Sequence, residues 1–224
     1  MMSQKTEIKN AVCTRLSELS DGVFKDAGFT RRPDSLRYQR KLPGCVQHVE
    51  LALEHGPKDN ANAAAAIYPW LVVKIDDVDK VTLQMTNGDE GLVSSSASTL
   101  QQPIELLSPN GVGARWFVYQ PDSVRQAVEE FVEYSKKWLF SFLDVYSNPK
   151  GVVGLFENED SRVINVQEQF LRVAASLILL GRHKDARALL DIKFGRPAIR
   201  RKFASVFSYV DREISGNLPE TAGQ

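Results

Sequence analysis

The sequence predicts an α+β fold, with an antiparallel β-sheet that carries helices packed on one face, followed by a small all-helical C-terminal part. Apolar residues recur every three or four positions in 6–27 and again in 124–145, a spacing typical of amphipathic helices. Between these segments, short runs alternate apolar and polar side chains, as half-buried strands do. Beyond residue 160 the apolar spacing is helical throughout. Strands grouped apart from helices are typical of α+β proteins.

Residues 1–147 are predicted to form the α+β domain. In chain order its elements are a helix over 6–27 capped by Gly28, a hairpin of 36–42 and 45–54, strands near 70–75 and 81–85, a loop over 86–112, a strand over 115–119 and a helix over 121–146. The loop is long for a compact domain, and loops of this length are often functional.

A cluster of breaking residues, Ser147-Asn148-Pro149-Lys150-Gly151, marks the end of this domain. The remaining chain is predicted to be a linker over 148–160, a helical appendage over 161–215 and a disordered tail over 216–224. Within the appendage, the turn Leu180-Gly181-Arg182-His183 lies between two apolar helical stripes. The segment of about 162–195 therefore resembles a single helical hairpin of the tetratricopeptide kind.

Composition indicates an ordinary globular protein. The chain has 224 residues, 43% of them hydrophobic, and its 28 basic residues balance its 28 acidic ones. The net charge therefore favours no class of partner. The polar N-terminal sequence has no apolar segment of a secretion signal, and no apolar run reaches the roughly 20 residues that span a bilayer. With only Cys13 and Cys45, which exclude a disulfide framework, the sequence predicts a soluble cytoplasmic protein without a membrane partner.

Three short segments carry a family resemblance. They are Gly28-Phe29-Thr30-Arg31-Arg32, Leu36-Arg37-Tyr38-Gln39-Arg40 and Tyr68-Pro69-Trp70-Leu71. In this order, over about 10–145, the chain resembles the bacterial family called domain of unknown function 4304. The resemblance implies a small cytoplasmic α+β protein without an assigned activity, and some similar families serve as immunity proteins that neutralise a toxin. No functional residue transfers with it.

Motifs for catalysis and for metal or cofactor binding are absent from the sequence. The nearest metal-ligand set is Cys45, His48 and His55, but strand alternation places His48 on the face opposite the other two. There is no phosphate-binding glycine loop and no nucleophile elbow. We therefore predict no catalytic residue, no metal and no cofactor. An alternative hypothesis is a hydrolase-like enzyme with a pocket under the 86–112 loop, using Asp76, Asp77 or His48.

Basic and aromatic residues favour binding. Basic side chains exceed acidic ones within 25–41, and tryptophans occur on two predicted strands. Arginine and aromatic side chains are enriched at protein-binding hot spots. The first hypothesis is therefore a module that recognises another protein, and the family resemblance implies an immunity-like role for it. The candidate residues are Arg31, Arg32, Tyr38, Trp70 and Trp116.

A second basic region favours nucleic acid as an alternative partner. Between residues 182 and 202 the basic residues exceed the acidic ones by six. Clustered cations on a helical face attract phosphate backbones. In this hypothesis the contacts are made by Arg196, Arg200, Arg201 and Lys202. The sequence leaves the identity of the partner and the oligomeric state open.

Overall fold

The computed structural model describes residues 4–93, 98–109, 115–164 and 166–216. Over these residues the chain has the predicted α+β fold with a six-stranded antiparallel sheet. Two parts of the predicted 86–112 loop, 94–97 and 110–112, lie outside the described residues, as does the predicted tail from 217 onward.

The helices are α1 (Gln4–Leu19), α2 (Asp21–Asp26), α3 (Asp76–Met85), α4 (Val124–Tyr134), α5 (Phe140–Val145), α6 (Pro149–Glu157), α7 (Gln167–Leu179), α8 (His183–Phe194), α9 (Pro197–Lys202) and α10 (Ala204–Gly216). A π-helix (Ser135–Leu139) joins α4 to α5. The strands are β1 (Thr30–Arg31), β2 (Arg37–Leu42), β3 (Cys45–His55), β4 (Ala65–Ile75), β5 (Leu100–Pro103) and β6 (Trp116–Val118).

The chain divides into two compact units, and each is built from two chain segments. The first unit comprises Met1–Val73 and Leu100–Tyr146, and the second comprises Lys74–Thr99 and Ser147–Gln224. The predicted domain boundary at 147 coincides with one of the points where the chain passes between the units. The segment 74–99, which the sequence assigns to the α+β domain, belongs instead to the unit that contains the C-terminal helices.

The sheet of the first unit has the strand order β1-β2-β3-β4-β5, and β6 also pairs with β4. The hairpin β2–β3 runs from the pair Leu42 and Cys45 to the pair Arg37 and Glu50. Strand alternation gives this sheet an inner face whose side chains are buried. The inner face consists of Tyr38, Arg40, Cys45, Gln47, Val49, Leu51, Ile67, Leu71, Val73, Trp116 and Val118.

Helices α2, α4 and α5 cover the inner face. The ring of Phe24 in α2 stacks on Tyr38 of β2 with centroids 4.0 Å apart, and on Phe131 of α4 at 5.4 Å. The ring of Trp116 in β6 meets Phe131 edge to face at 5.7 Å. Burial of such large aromatic side chains contributes about 2–3 kcal/mol each. The inner face is thus the core of the first unit.

A buried polar chain links the hairpin to α5. Gln47 is fully buried, and its Oε1 accepts a hydrogen bond from Nε of Arg40 at 2.8 Å. Its Nε2 donates to the carbonyl oxygen of Leu143 at 2.7 Å. The guanidinium of Arg40 also lies 4.8 Å from the ring centroid of Phe29 and pairs with Asp144 at 2.7 Å. Both amide atoms of the buried Gln47 are thus satisfied, and of the Arg40 guanidinium the Nη2 atom is without a hydrogen bond in the described chain.

The prediction of a strand near 81–85 is wrong, because these residues lie in helix α3. Val78, Val81 and Met85 are buried at helical spacing. Asp76, Asp77 and Asp79 occupy the first turn, where carboxylates interact favourably with the helix dipole. The run 81–85 is too short to distinguish a helix from a strand by its period. The preceding strand is longer than predicted and begins at Ala65.

Within the described part of the 86–112 segment, residues 86–93 form turns, whereas residues 100–107 have regular structure, so the prediction of a loop is wrong over 100–107. Leu100–Pro103 form β5, which pairs with 70–73 of β4, and Ile104–Leu107 form a 3₁₀-helix. A strand of four residues with the sequence Leu-Gln-Gln-Pro has no recognisable alternation. Its pairing with β4 is a tertiary effect that local sequence does not reveal.

In the second unit, helix α6 replaces the linker that the sequence predicts over 148–160. Pro149 occupies the first turn, and Oδ1 of Asn148 accepts a hydrogen bond from the backbone N–H of Gly151 at 3.1 Å. The residues read as breakers are therefore the N-terminal cap of a helix. Helices α7 and α8 pack on each other, and α3 packs on α7 and α10. The rings of Phe170, Phe194 and Phe203 lie in contact in its core.

Substitution of Gly28 is expected to destabilise the protein. Gly28 ends the helical segment with φ of +82°, and a Cβ there would lie 3.2 Å from Cδ of the buried Arg40. We expect Gly28→Ala to lower the free energy of unfolding, measured by urea titration, by about 1–2 kcal/mol. Gly22→Ala in α2 is the control, because no atom lies within 4 Å of its Cβ position. The control should keep or slightly raise stability, and equal losses in both variants would contradict the prediction.

Candidate protein-binding surface

The side chains opposite the inner face form the outer face of the sheet, and apart from the buried Ala66 those of β4 are half-exposed or exposed. Cross-strand partners lie on the same face, and the register pairs Thr30 with Gln39, Gln39 with His48, and Arg37 with Glu50. On the other side of the sheet, Trp70 pairs with Pro103 and Val72 with Gln101. Because the helices of the first unit pack on the inner face, they leave these side chains uncovered. The outer face is therefore the natural place to look for a binding site.

Three aromatic side chains of β4 and β6 form what we call the aromatic patch, namely Tyr68, Trp70 and Phe117. The rings of Tyr68 and Trp70 meet edge to face with centroids 5.9 Å apart. The guanidinium of Arg115 lies 4.5 Å from the centroid of the Tyr68 ring, and it also pairs with Asp59. The hydroxyl of Tyr68 donates to Oε1 of Glu105 at 3.2 Å. These contacts hold the Tyr68 and Arg115 side chains in place, which reduces the entropy lost when a partner binds.

A cavity of about 510 Å³, which we call the basic notch, lies where β1 meets β2. Its lining consists of Thr30, Arg31, Arg32, Ser35, Arg37 and Gln39. Arg32 is exposed and makes no ion pair with any residue in the described part of the chain. Arg37 is 56% exposed and pairs with Glu50 across the β2–β3 hairpin. The notch thus presents cations and neutral donors and has no carboxylate in its lining.

Arg31 is not an exposed binding residue, contrary to its position among the candidates. Its side chain is fully buried, and Nε and Nη2 each donate to one carboxylate oxygen of Asp21 at 2.8 Å. Nη1 donates to the backbone oxygen of Ser35 at 2.7 Å. All the charge of Arg31 is therefore used inside the protein, where it fixes the turn that forms the notch. Sequence alone does not distinguish this role from the exposed position of Arg32 next to it.

Two further candidates, Tyr38 and Trp116, are buried. Tyr38 is 1% exposed and Trp116 is 4% exposed, because both lie on the inner face under α2 and α4. Burial raises the pKa of the Tyr38 hydroxyl, which donates to Asp21 at 2.7 Å. The alternation of strand β6 was predicted, but alternation does not say which of its two faces the helices cover. Of the five candidates, Arg32 and Trp70 are the two that lie at accessible positions.

The four residues of the nucleic-acid alternative lie at α9 and are exposed, but two of them are engaged within the second unit. Arg200 pairs with Asp191 at 3.1 Å, and its guanidinium lies 4.4 Å from the centroid of the Phe207 ring. Nζ of Lys202 lies 5.6 Å from the centroid of the Phe203 ring. Arg196 and Arg201 make no ion pair with other residues in the ranges that the structure describes. The available charge is therefore smaller than the sequence count suggests.

The residues of the enzyme alternative are divided between the two units. Asp76 and Asp77 are exposed on the first turn of α3 in the second unit, and His48 lies on the outer face in the first unit. The described residues contain no group of three metal-ligating side chains. A half-buried carboxylate of the second unit, Asp79, was not part of the sequence hypothesis. The sequence pattern that could have identified Asp79 is the helical spacing of the apolar residues from Val78 to Met85, which places Asp79 next to the packed side of α3.

Asp79 accepts a hydrogen bond from Oγ1 of Thr99 at 2.9 Å, and it lies 3.8 Å from Nε of Arg172, which is buried. Oγ1 of Thr99 in turn accepts a hydrogen bond from the backbone N–H of Ile75 at 2.7 Å. Burial raises the pKa of Asp79 to about 6, although the Thr99 hydroxyl and the Arg172 guanidinium act in the opposite direction. Through these contacts the first turn of α3 is connected to Thr99 and to Arg172 of α7. The Asp79 carboxylate has a hydroxyl and a guanidinium as protein partners, although the buried Nε of Arg172 makes no hydrogen bond in the described chain.

Comparison of the chain with family models, with curated proteins and with solved structures gives no match. The resemblances to domain of unknown function 4304 and to a tetratricopeptide hairpin therefore stay predictions. In the part of the chain that the structure describes, no helix combines the length and apolar character needed to cross a membrane.

Proposed function

We propose that this protein is a binding module that recognises another protein through the outer face of its sheet. The observation that carries the proposal is the aromatic patch of Tyr68, Trp70 and Phe117, which the helices of the same unit leave half-exposed. Interfaces are enriched in tryptophan, tyrosine and arginine, and a few such residues supply most of the binding energy. The patch also adjoins a basic region on the same face. A cytoplasmic location and an immunity-like role, with a toxin as the partner, extend this proposal on the strength of the family resemblance.

Replacement of Trp70 tests the proposal. Binders are first selected from displayed peptides and small domains against the full chain, and their dissociation constants are then measured with variants. Because a central aromatic anchor contributes about 2 kcal/mol, Trp70→Ala is expected to weaken binding roughly thirtyfold. Trp138→Ala is the matched control, since Trp138 is a half-exposed tryptophan on the π-helix of the same unit. Binders that tolerate Trp70→Ala and Phe117→Ala but lose affinity with Trp138→Ala would contradict the proposal.

Nucleic-acid binding is the second candidate function. It is favoured by Arg196 and Arg201, which are exposed and lack ion-pair partners within the described ranges. Neutralising both should weaken binding to duplexes of unrelated sequence to the same degree and reduce the salt dependence. The Trp70→Ala variant should not change this binding. The two candidates are therefore separated by the same set of variants.

A further inference from the structure

We infer that the basic notch binds carboxylate side chains of an acidic peptide segment, and that this segment belongs to the partner that contacts the aromatic patch. The inference rests on the proposed function and adds the chemistry of the partner. It starts from the lining of the cavity, which supplies the guanidinium groups of Arg32 and Arg37, the hydroxyls of Thr30 and Ser35, and the amide of Gln39. Such a set of donors without a carboxylate in the lining suits an anion.

The charge available to a ligand comes from Arg32 and Arg37. The third arginine of the lining, Arg31, is neutralised by the two hydrogen bonds from its guanidinium to Asp21. Arg32 has no ion pair in the described chain, and Arg37 has one, with Glu50. Both members of that pair are more than a third exposed, so the pair contributes little to stability. An incoming carboxylate can therefore share Arg37 or displace Glu50 at small cost.

Position on the sheet favours a peptide over a nucleic acid. Arg37 and Gln39 belong to β2, Trp70 belongs to β4, and β3 alone lies between these strands. Neighbouring strands lie about 4.8 Å apart, so the two strands are separated by about 10 Å. An extended peptide covers this distance in about three residues. A segment with an acidic residue about three positions from an apolar one can thus contact the notch and the aromatic patch together. A peptide can place an apolar side chain next to an acidic one, whereas a nucleic-acid backbone presents a phosphate at every nucleotide.

The notch is tested first by itself, with poly-L-glutamate as the probe and calorimetry at low salt as the measurement. Arg32→Gln and Arg37→Gln, made together, should weaken poly-L-glutamate binding by at least about tenfold, because charge-assisted hydrogen bonds are lost. Arg125→Gln is the matched control. Arg125 lies on α4, is 56% exposed like Arg37, and likewise pairs with one glutamate. This control should bind poly-L-glutamate as the unmodified protein does, and circular dichroism verifies that every variant is folded.

Three outcomes would overturn the inference. They are no binding of poly-L-glutamate by the unmodified protein, an equal loss in the Arg125→Gln control, and tighter binding of a single-stranded oligonucleotide or of inorganic phosphate that the double variant abolishes. Poly-L-glutamate has no apolar side chain, so Trp70→Ala should leave its binding unchanged. If the selected binders depend on Trp70 but the protein does not bind poly-L-glutamate, the proposed function is supported and the basic notch is rejected as a site for acidic peptides. If the protein binds poly-L-glutamate but the selected binders do not depend on Trp70, the acidic ligand is supported and the aromatic patch is rejected as its second contact.

Discussion

Replacement of Arg31 with alanine is expected to destabilise the first unit by about 3 kcal/mol. The guanidinium of Arg31 is fully buried, and besides the carboxylate of Asp21 it bonds to Oγ of Ser17 at 2.8 Å and to the backbone oxygens of Pro33 and Ser35 at 3.0 and 2.7 Å. Removing the guanidinium leaves these oxygens without their donors and leaves the Asp21 carboxylate, which is 35% exposed, without its counterion. The Asp21 carboxylate then has only the Tyr38 hydroxyl among the contacts described above.

Arg32→Ala is the control for Arg31→Ala. Arg32 is the next residue in the chain and has the same side chain, but it is exposed and makes no ion pair in the described ranges. Its replacement should change the free energy of unfolding by no more than about 0.5 kcal/mol. Urea titration followed by circular dichroism measures both variants. If the two losses differ by less than about 1 kcal/mol, the buried network does not stabilise the fold as described here.

Stability of the second unit is expected to fall as the pH rises from about 4 to about 7, by between about 2 and 3 kcal/mol from Asp79 alone. Burial raises the pKa of Asp79 from 3.8 to about 6 in the folded protein. Between these two values the folded state holds a proton that the unfolded state has released. The stabilisation is therefore complete below about pH 4 and is lost as the pH passes through about 6. The charges that act on Asp79 are those of Arg172, Lys74 and Asp76.

Comparison with Asp79→Asn isolates this contribution, since the amide cannot titrate. The difference in unfolding free energy between the unmodified protein and Asp79→Asn, measured by urea titration at a series of pH values, should shrink or reverse toward neutral pH. Asp77→Asn controls for the loss of one negative charge, because Asp77 is an exposed carboxylate of the same helical turn. Parallel stability curves for the unmodified protein and Asp79→Asn would show that burial does not perturb Asp79.

The parts of the fold that follow from local patterns were predictable from the sequence. The spacing of Ile8, Val12 and Leu16 predicted the first helix, and all three residues are buried in α1. The alternation of β3 predicted that Val49 and Leu51 share a buried face, and they do. These patterns depend on the geometry of a single element, which the chain expresses whatever packs against it. The fold class was therefore confirmed.

The parts that depend on contacts distant in sequence were not predictable. Whether Trp116 or Phe117 faces solvent depends on which side of β6 receives α4, and the alternation is the same in either case. Arg31 and Arg32 differ only in that Asp21 reaches one of them. The candidate surface was accordingly predicted in part, through Arg32 and Trp70, while the contributions of Arg37 and Tyr68 required the register of the strands.

The division of each unit into two chain segments has a consequence for synthesis on the ribosome. The first unit cannot close its sheet until β5, β6 and α4 have been made, although its first strands are finished much earlier. Helix α3 emerges between them, and its apolar side, with Val78, Val81 and Met85, is covered by α7 and α10 only near the end of translation. Exposed apolar segments promote aggregation of nascent chains. A chain released after about residue 150 would carry this uncovered helix, and such fragments would depend on chaperones for solubility.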